Sequence, residues 1–303
     1  MSNTVRIIEM GPRDGLQNER TPVGVAARIA FIEALMAAGL HTVEIGAFVS
    51  PKAIPQMVGS DEVLRGVSHV GGAEFHVLVP NLKGYEAARA AGARVVSVFA
   101  AASEGFSHAN INCSIAESIE RFRPVVARAR ADGVKVRGYV SCVLGCPYDG
   151  EIRPQAVVDV AAALWELGCY EISLGDTIGV GTPGKARELL RAVAGSVPMA
   201  GLAMHFHDTY GQALANLYAG LEEGARGIDS AAGGLGGCPF APGATGNVAT
   251  EDVVYMLEGL GVATGVDMTK LVAATNAISD QLGRSPASRV VAAINAKSRR
   301  AAK

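Results

Sequence analysis

The chain has 303 residues, 49% of them hydrophobic and 18% charged, with a formal net charge of −2. That composition excludes a disordered chain and is ample for one large core or two average ones. Lys plus Arg at 27 against Asp plus Glu at 29 excludes a dedicated nucleic-acid surface, since only the tail from Lys297 to Lys303 is locally basic, as solvated termini often are.

The five cysteines, Cys113, Cys142, Cys146, Cys169 and Cys238, are odd in number and scattered, which suits a reducing compartment better than a disulfide framework. Met1 to Thr4 run directly into an apolar strand pattern, leaving no room for a signal or transit peptide. No apolar run reaches the ~18 uninterrupted residues of a transmembrane helix. The nearest, from Gln155 to Gly168, carries Asp159 and Glu166. A cytoplasmic protein without a membrane partner is expected.

Val5-Arg6-Ile7-Ile8-Glu9 reads as a first strand, with Gly11-Pro12-Arg13-Asp14-Gly15 as the turn after it. From there one pattern recurs: an amphipathic helix, a glycine, then a short apolar strand. Gly39 precedes Thr42 to Ile45, Gly71 and Gly72 precede Phe75 to Val79, and Gly92 precedes Val95 to Phe99. Gly133 precedes Val134 to Val140, Gly168 precedes Tyr170 to Leu174, Gly195 precedes Leu202 to His207, and Gly224 precedes Gly227 to Ser230. Each glycine sits where the residue after a helix takes positive φ. Pro154 starts a helix whose stripe is Val157, Ala161, Leu164, Trp165 and Gly168. Thr182-Pro183 is an N-cap followed by proline at the first helical position, and Leu214, Leu217, Tyr218 and Leu221 make a further stripe.

Strict βα alternation implies a parallel sheet. Eight such units within about 250 residues fit an α/β protein of the closed (β/α)8, or TIM-barrel, type. A doubly wound open sheet competes, but it usually has five or six strands and often a Gly-x-Gly-x-x-Gly turn after the first, which residues 11–15 do not supply. The expectation is one catalytic domain over 1–303, with the barrel at about 5–260 and extra C-terminal helices at about 267–303.

Working residues of such barrels lie at the C-terminal ends of strands. His205 and His207 stand two apart on a strand, so both imidazoles leave one face while Phe206 points away. A hydrogen-bonded polar pair is the plain reading, and a divalent-metal site the functional one. Asp14 suits a turn by itself, yet the first strand adjoins the eighth and lies near the seventh, which brings it within reach of the histidines. Asn247 is either a locally satisfied loop residue or an amide ligand. Two imidazoles, a carboxylate and an amide oxygen favour Mg²⁺ or Mn²⁺ over structural Zn²⁺. Arg13 either neutralises Asp14 or faces a developing oxyanion. Glu44 and Asp176 either orient Arg13 or a histidine, or are structural ion pairs. The glycine-dense stretch Gly233 to Gly246 suits a mobile lid, and Cys238 within it is badly placed to fill a core. Cys142 and Cys146 read as packing or pocket lining.

Six segments together resemble the 3-hydroxy-3-methylglutaryl-CoA lyases, within a metal-dependent lyase and synthase group of (β/α)8 barrels. They begin at Gly11 (GPRDGLQNE), Asn110 (NINCS), Arg137 (RGYVSC), Ser173 (SLGDTIGVGTP), His207 (HDTYGQALAN) and Gly234 (GLGGCP). The resemblance implies a divalent cation held by Asp14, His205, His207 and Asn247. It implies catalysis involving Arg13, Asp14, Glu44, Asp176 and Cys238, with Cys238 as acid/base, and CoA contacts at Asn110 and Ser114. It further implies cleavage of a 3-hydroxyacyl-CoA to acetyl-CoA and a 3-keto acid, an acyl-CoA partner, and a homodimer.

Two departures stand out. The family usually has tryptophan where this chain has Ala53, in Ser50-Pro51-Lys52-Ala53-Ile54-Pro55-Gln56-Met57, so the pocket is either wider or repacked. His108-Ala109 stands where basic residues commonly precede the Asn110 segment, leaving the CoA phosphate contacts open. An acetyl-CoA-dependent Claisen synthase or a pyruvate aldolase is the rival reaction on the same barrel, and a non-catalytic binding barrel is the third reading.

Overall fold

The structure, a computed structural model, describes residues 4–237 and 245–301. Its strands are β1 (Arg6–Glu9), β2 (Thr42–Ala47), β3 (Glu74–Leu78), β4 (Val95–Ala101), β5 (Lys135–Ser141), β6 (Glu171–Asp176), β7 (Leu202–Phe206) and β8 (Gly227–Ser230). Each pairs in parallel with its neighbours in chain order, and β8 closes onto β1 with Ile8 opposite Asp229. Parallel neighbours need crossover connections. These are α1 (Val25–Ala37), α2 (Ser60–Val67), α3 (Leu82–Ala90), α4 (Glu104–Ile111) with α5 (Ile115–Ala131), α6 (Pro154–Leu167), α7 (Pro183–Ala194) and α8 (Ala213–Glu222). The result is the (β/α)8 barrel that the alternation predicts. Beyond β8, α9 (Thr250–Gly259) completes the ring, α10 (Met268–Leu282) packs on α1 and α9, and α11 (Arg289–Ala301) packs on α9. Among the described residues, no helix is long and apolar enough to cross a membrane.

The strands alternate in an unusual sense. Val43, Ile45, Val96, Val98, Ile172, Leu174, Met204 and Phe206 are buried, and so are the intervening Glu44, Ser97, Ser173, His205 and, on β5 and β8, Arg137 and Asp229. Successive strand residues face opposite sides, so one set meets the helices and the other the barrel interior. Hydrogen bonds across the interior, Arg137 to Asp229 and Tyr139 to Glu44, put the polar set inside. Barrels of this kind are usually filled by branched apolar side chains. Buried charge is tolerated only when paired and hydrogen-bonded. Here the pairing is complete enough to run from Arg6 and Glu171 at the barrel floor through Arg137 to Asp229 near the mouth.

Two local expectations fail for identifiable reasons. Gly195 has φ of −67° and ends α7 in ordinary helical geometry, unlike Gly39, Gly72, Gly92, Gly133, Gly168 and Gly224, which do take positive φ. On α8 the buried stripe is Ala213, Asn216, Leu217 and Gly220, whereas Tyr218 is exposed. Small residues bring that helix close to the sheet: a Cβ at Gly220 would lie 2.1 Å from Met204 Sδ.

Candidate active site

The turn after β1 brings its two polar residues to the barrel mouth. Residues Gly11–Gly15 form one wide π-type turn, with Pro12 near its start and the Gly15 N–H bonded to the Met10 carbonyl at 3.1 Å. The buried Glu9 carboxylate anchors it, accepting from the N–H groups of Gly11 at 2.7 Å and Ala232 at 2.9 Å and from the Thr250 hydroxyl at 2.6 Å. Leu235 also lies against this turn, because a Cβ at Gly15 would meet Leu235 Cβ at 2.7 Å. Arg13 is buried, with Nε on the Glu44 carboxylate and Nη1 donating to Asp14 Oδ1 at 2.7 Å. Glu44 also accepts from Ser97 at 2.8 Å and Tyr139 at 2.7 Å. Burial by itself would raise the Asp14 pKa, but the Arg13 guanidinium and the two imidazoles hold it at about 2. Asp14 is therefore ionised at neutral pH, a negative charge facing the histidines.

The histidines meet it from β7 and the residue just past that strand. Their ring centroids are 5.5 Å apart, and His205 Nε2 lies 3.9 Å from Asp14 Oδ2. Ligand atoms of Asp14, His205 and His207 all fall within 4.8 Å of one another, the group among the described residues arranged to hold a metal ion. Burial, with His205 alongside, pushes the His207 pKa down to about 4, so its ring is neutral and competent as a ligand. An isolated bridge pairs His207 with Asn247, whose Nδ2 donates to Asp14 Oδ2 at 2.7 Å. His207 Nδ1 and Asn247 Oδ1 are buried with no hydrogen-bond partner. An unpaired buried amide oxygen is costly, and one beside a carboxylate and two imidazoles fits a cation.

Arg13, Asp14, His205 and His207 border a cavity of about 400 Å³ whose lining also includes the apolar Val49, Ala53, Ile54, Phe99, Phe106 and Ile111. A larger groove of about 1060 Å³ runs past Arg89, Arg94 and Lys135 where the chain enters β3, β4 and β5. It lies at the other end of the barrel, away from this cluster.

Other expected residues divide. Asp176 ends β6 buried, but its carboxylate accepts from the N–H groups of Val180 at 3.2 Å and Gly181 at 2.8 Å, so it shapes its own loop; only its carbonyl meets the His207 backbone, at 3.3 Å. Asn110 lines the cavity. Ser114 is the N-cap of α5, closing a capping box with Glu117, and is not among the cavity residues. Cys238 lies outside the described residues; Gly237, just before it, reaches the cavity rim.

Two side chains that are not among the expected site residues are central here. Asp229 is fully buried on β8, 3.1 Å from His205 Nδ1, and although burial would raise its pKa, Arg137 holds it well below the usual carboxylate range. Tyr139 links Arg137 to Glu44. The available signal was the period of the strands, which aims Arg137, Tyr139 and Asp229 at one interior.

The sequence pattern of the family described as HMGL-like matches residues 4–278. The 3-hydroxy-3-isohexenylglutaryl-CoA/hydroxy-methylglutaryl-CoA lyase of Pseudomonas aeruginosa is 59% identical over 293 residues, 97% of this chain and 98% of that one. The hydroxymethylglutaryl-CoA lyase of Pseudomonas mevalonii is 56% identical over 296 residues, 98% of each. The crystal structure of hydroxymethylglutaryl-CoA lyase from Pseudomonas aeruginosa superposes with a TM-score of 0.95 at 58% identity, covering 98% of this chain and 99% of that one. With residues 4–278 matched by that family and these relatives and structure covering nearly the whole length, this chain belongs to the HMGL-like family.

Proposed function

We propose that this chain is a divalent-metal-dependent carbon–carbon lyase that cleaves 3-hydroxy-3-methylglutaryl-CoA to acetyl-CoA and acetoacetate. The observation that carries the reading is the convergence of Asp14, His205 and His207 within 4.8 Å at the barrel mouth, next to a buried arginine and an open cavity. Those three, with Asn247 through the Oδ1 that lacks a donor, would hold Mg²⁺ or Mn²⁺, since the set offers nitrogen and oxygen but no thiolate. Such a cation, when bound, would act as a Lewis acid that polarises a substrate oxygen and favours its deprotonation.

The protein's own groups account for the rest. The C3 hydroxyl gives its proton to Asp14, the carboxylate among the residues that line the cavity. As the C3 oxygen becomes a ketone, the C2–C3 bond breaks and its electrons pass to the thioester as an enolate. Arg13, fixed through Nε and Nη1, keeps Nη2 for that oxygen. Groups in this role typically contribute about 2.7–4 kcal/mol. Cys238, one residue past the cavity rim, supplies the proton that turns the C2 carbanion into the acetyl methyl group. Asn110 contacts the CoA arm from the cavity wall.

The substituent on C3 need not be methyl. The small side chain of Ala53 lines the cavity with Val49 and Ile54, and the Pseudomonas aeruginosa relative carries a 3-isohexenyl substrate in its name. We read this chain as accepting longer 3-alkyl chains alongside methyl. Incubation of the purified protein with 3-hydroxy-3-methylglutaryl-CoA, with and without Mg²⁺, should release acetyl-CoA only with the metal. Absence of acetyl-CoA from metal-loaded protein would overturn the reaction.

A further inference from the structure

Asp229 on β8 and His205 on β7 are register partners in the barrel wall, and both side chains turn inward. The Asp229 carboxylate is surrounded by donors. Oδ1 accepts from Arg137 Nη2 at 2.7 Å, while Oδ2 accepts from Arg137 Nη1 at 3.0 Å and from the Ser173 hydroxyl at 2.8 Å. The same Oδ2 lies 3.1 Å from His205 Nδ1. Two lone pairs cannot share that separation without repulsion, so the proton between them belongs to Nδ1. A neutral imidazole protonated at Nδ1 carries its lone pair on Nε2. Nε2 is the ring atom that faces Asp14, 3.9 Å away, on the cluster side.

We propose that Asp229 is a positioning residue: it fixes His205 as the Nδ1–H tautomer, so that Nε2 is the free donor presented to a cation shared with Asp14 and His207. Arg137 makes the arrangement one-way. Its two N–H groups occupy both carboxylate oxygens and stop the group from turning away. The proposal rests on the metal-dependent reading of the site, but neither of its readouts requires turnover.

Asp229→Asn tests it with almost no change in volume. Both oxygens of the native carboxylate face Arg137 donors, so the amide NH₂ must displace one bond wherever it points. The arrangement that keeps the amide oxygen on Arg137 Nη2 turns NH₂ toward His205 Nδ1, which then accepts, and the ring proton moves to Nε2. An aspartate-to-asparagine change beside a catalytic histidine inverts the tautomer in this way in the serine-protease triad.

The tautomer is read by nitrogen NMR on metal-free protein labelled in its six histidines, with His205→Gln assigning the signal. Mn²⁺ affinity is read by electron paramagnetic resonance, and circular dichroism confirms folding of the variant. The expected result is an Nδ1–H His205 in the native protein, with the proton moved to Nε2 in Asp229→Asn. Mn²⁺ binding should weaken about 10- to 100-fold, the usual effect of removing such a partner. A native His205 protonated on Nε2, or a folded variant that binds Mn²⁺ as tightly as native protein, overturns the proposal. If the variant fails to fold, the native tautomer alone decides. A chain that lacks lyase activity yet shows the Nδ1–H tautomer and metal loss in the variant would contradict the reaction and uphold Asp229.

Discussion

Arg137 and Tyr139 stand two residues apart on β5 and both enter the barrel, with Nη1 donating to the phenolic oxygen at 2.7 Å. Tyr139 in turn donates to Glu44, which holds Arg13, so the arginine at the mouth is braced from the barrel's centre. Tyr139→Phe keeps the ring and removes both bonds. Glu44 keeps Ser97 and Arg13, so the expected destabilisation is about 1–3 kcal/mol, that of a buried group deprived of one partner. Urea unfolding measures it, and kcat should fall along with stability because Arg13 loses its brace. Native stability in the variant would mean that this chain of bonds carries no weight.

Arg13→Lys retains the charge but not the planar fork that meets Glu44 and Asp14 simultaneously. If Arg13 faces the enolate oxygen, kcat should drop about 10²- to 10³-fold. Mn²⁺ affinity should change much less, since Asp14 keeps its histidines and Asn247. A loss confined to metal binding would move Arg13 from the reaction to the support of Asp14.

Cys238→Ser replaces a thiol by a hydroxyl, a much weaker acid, at the proposed proton donor. Turnover should fall steeply while metal affinity stays near native, as shown by steady-state assay and metal analysis of one preparation. Unchanged turnover would take Cys238 out of the mechanism.

Ala53→Trp tests the width of the cavity wall. Filling it should lower kcat/KM for a substrate with a long 3-alkyl chain far more than for the methyl substrate. An indole there removes the room the chain would occupy and leaves the reacting carbons alone. Equal losses on both substrates would place the substituent elsewhere.

Much of this architecture is legible in the amino-acid string because it depends on local periods. The glycine after each helix and the apolar strand that follows mark eight units, and eight units close in only a few ways. His205 and His207 are legible for the same reason, since period two puts them on one face. Asp229 is not. A lone aspartate in Gly227 to Ser230 looks like a strand end, and its partners lie 92 residues away at Arg137, 56 away at Ser173 and 24 away at His205. Only closure of the barrel joins them. Ser114 has a second, local use: a serine three residues before Glu117 also makes a capping box, and the structure forms it. The exposed Tyr218 shows a third limit, because helix rotation was set by Gly220 against Met204, a close approach that hydrophobic spacing does not reveal.

The pH dependence of stability turns on Glu9 and Glu251, both buried beside the loop that leaves β8. Burial raises each to about 7 from an ordinary 4.5, against the pull of the hydroxyl and N–H groups that face them. Between those values the folded protein keeps protons that the unfolded chain has released, so their contribution is fully present below 4.5 and is lost as pH rises through 7. His207 acts oppositely: lowered to about 4 from 6.5, it makes the folded state stronger as pH climbs through that interval. Two carboxyls outweigh one imidazole, so metal-free protein should lose stability between about pH 5 and 7. Glu251→Gln removes one of the two titrations while its amide oxygen can still accept from the Gly233 N–H. Thermal melts of native and variant protein across that range should therefore diverge, the variant gaining on the native protein as pH rises. Parallel curves would mean that Glu251 stays ionised in the fold, held by the Thr275 hydroxyl and the Gly233 amide more firmly than burial opposes it.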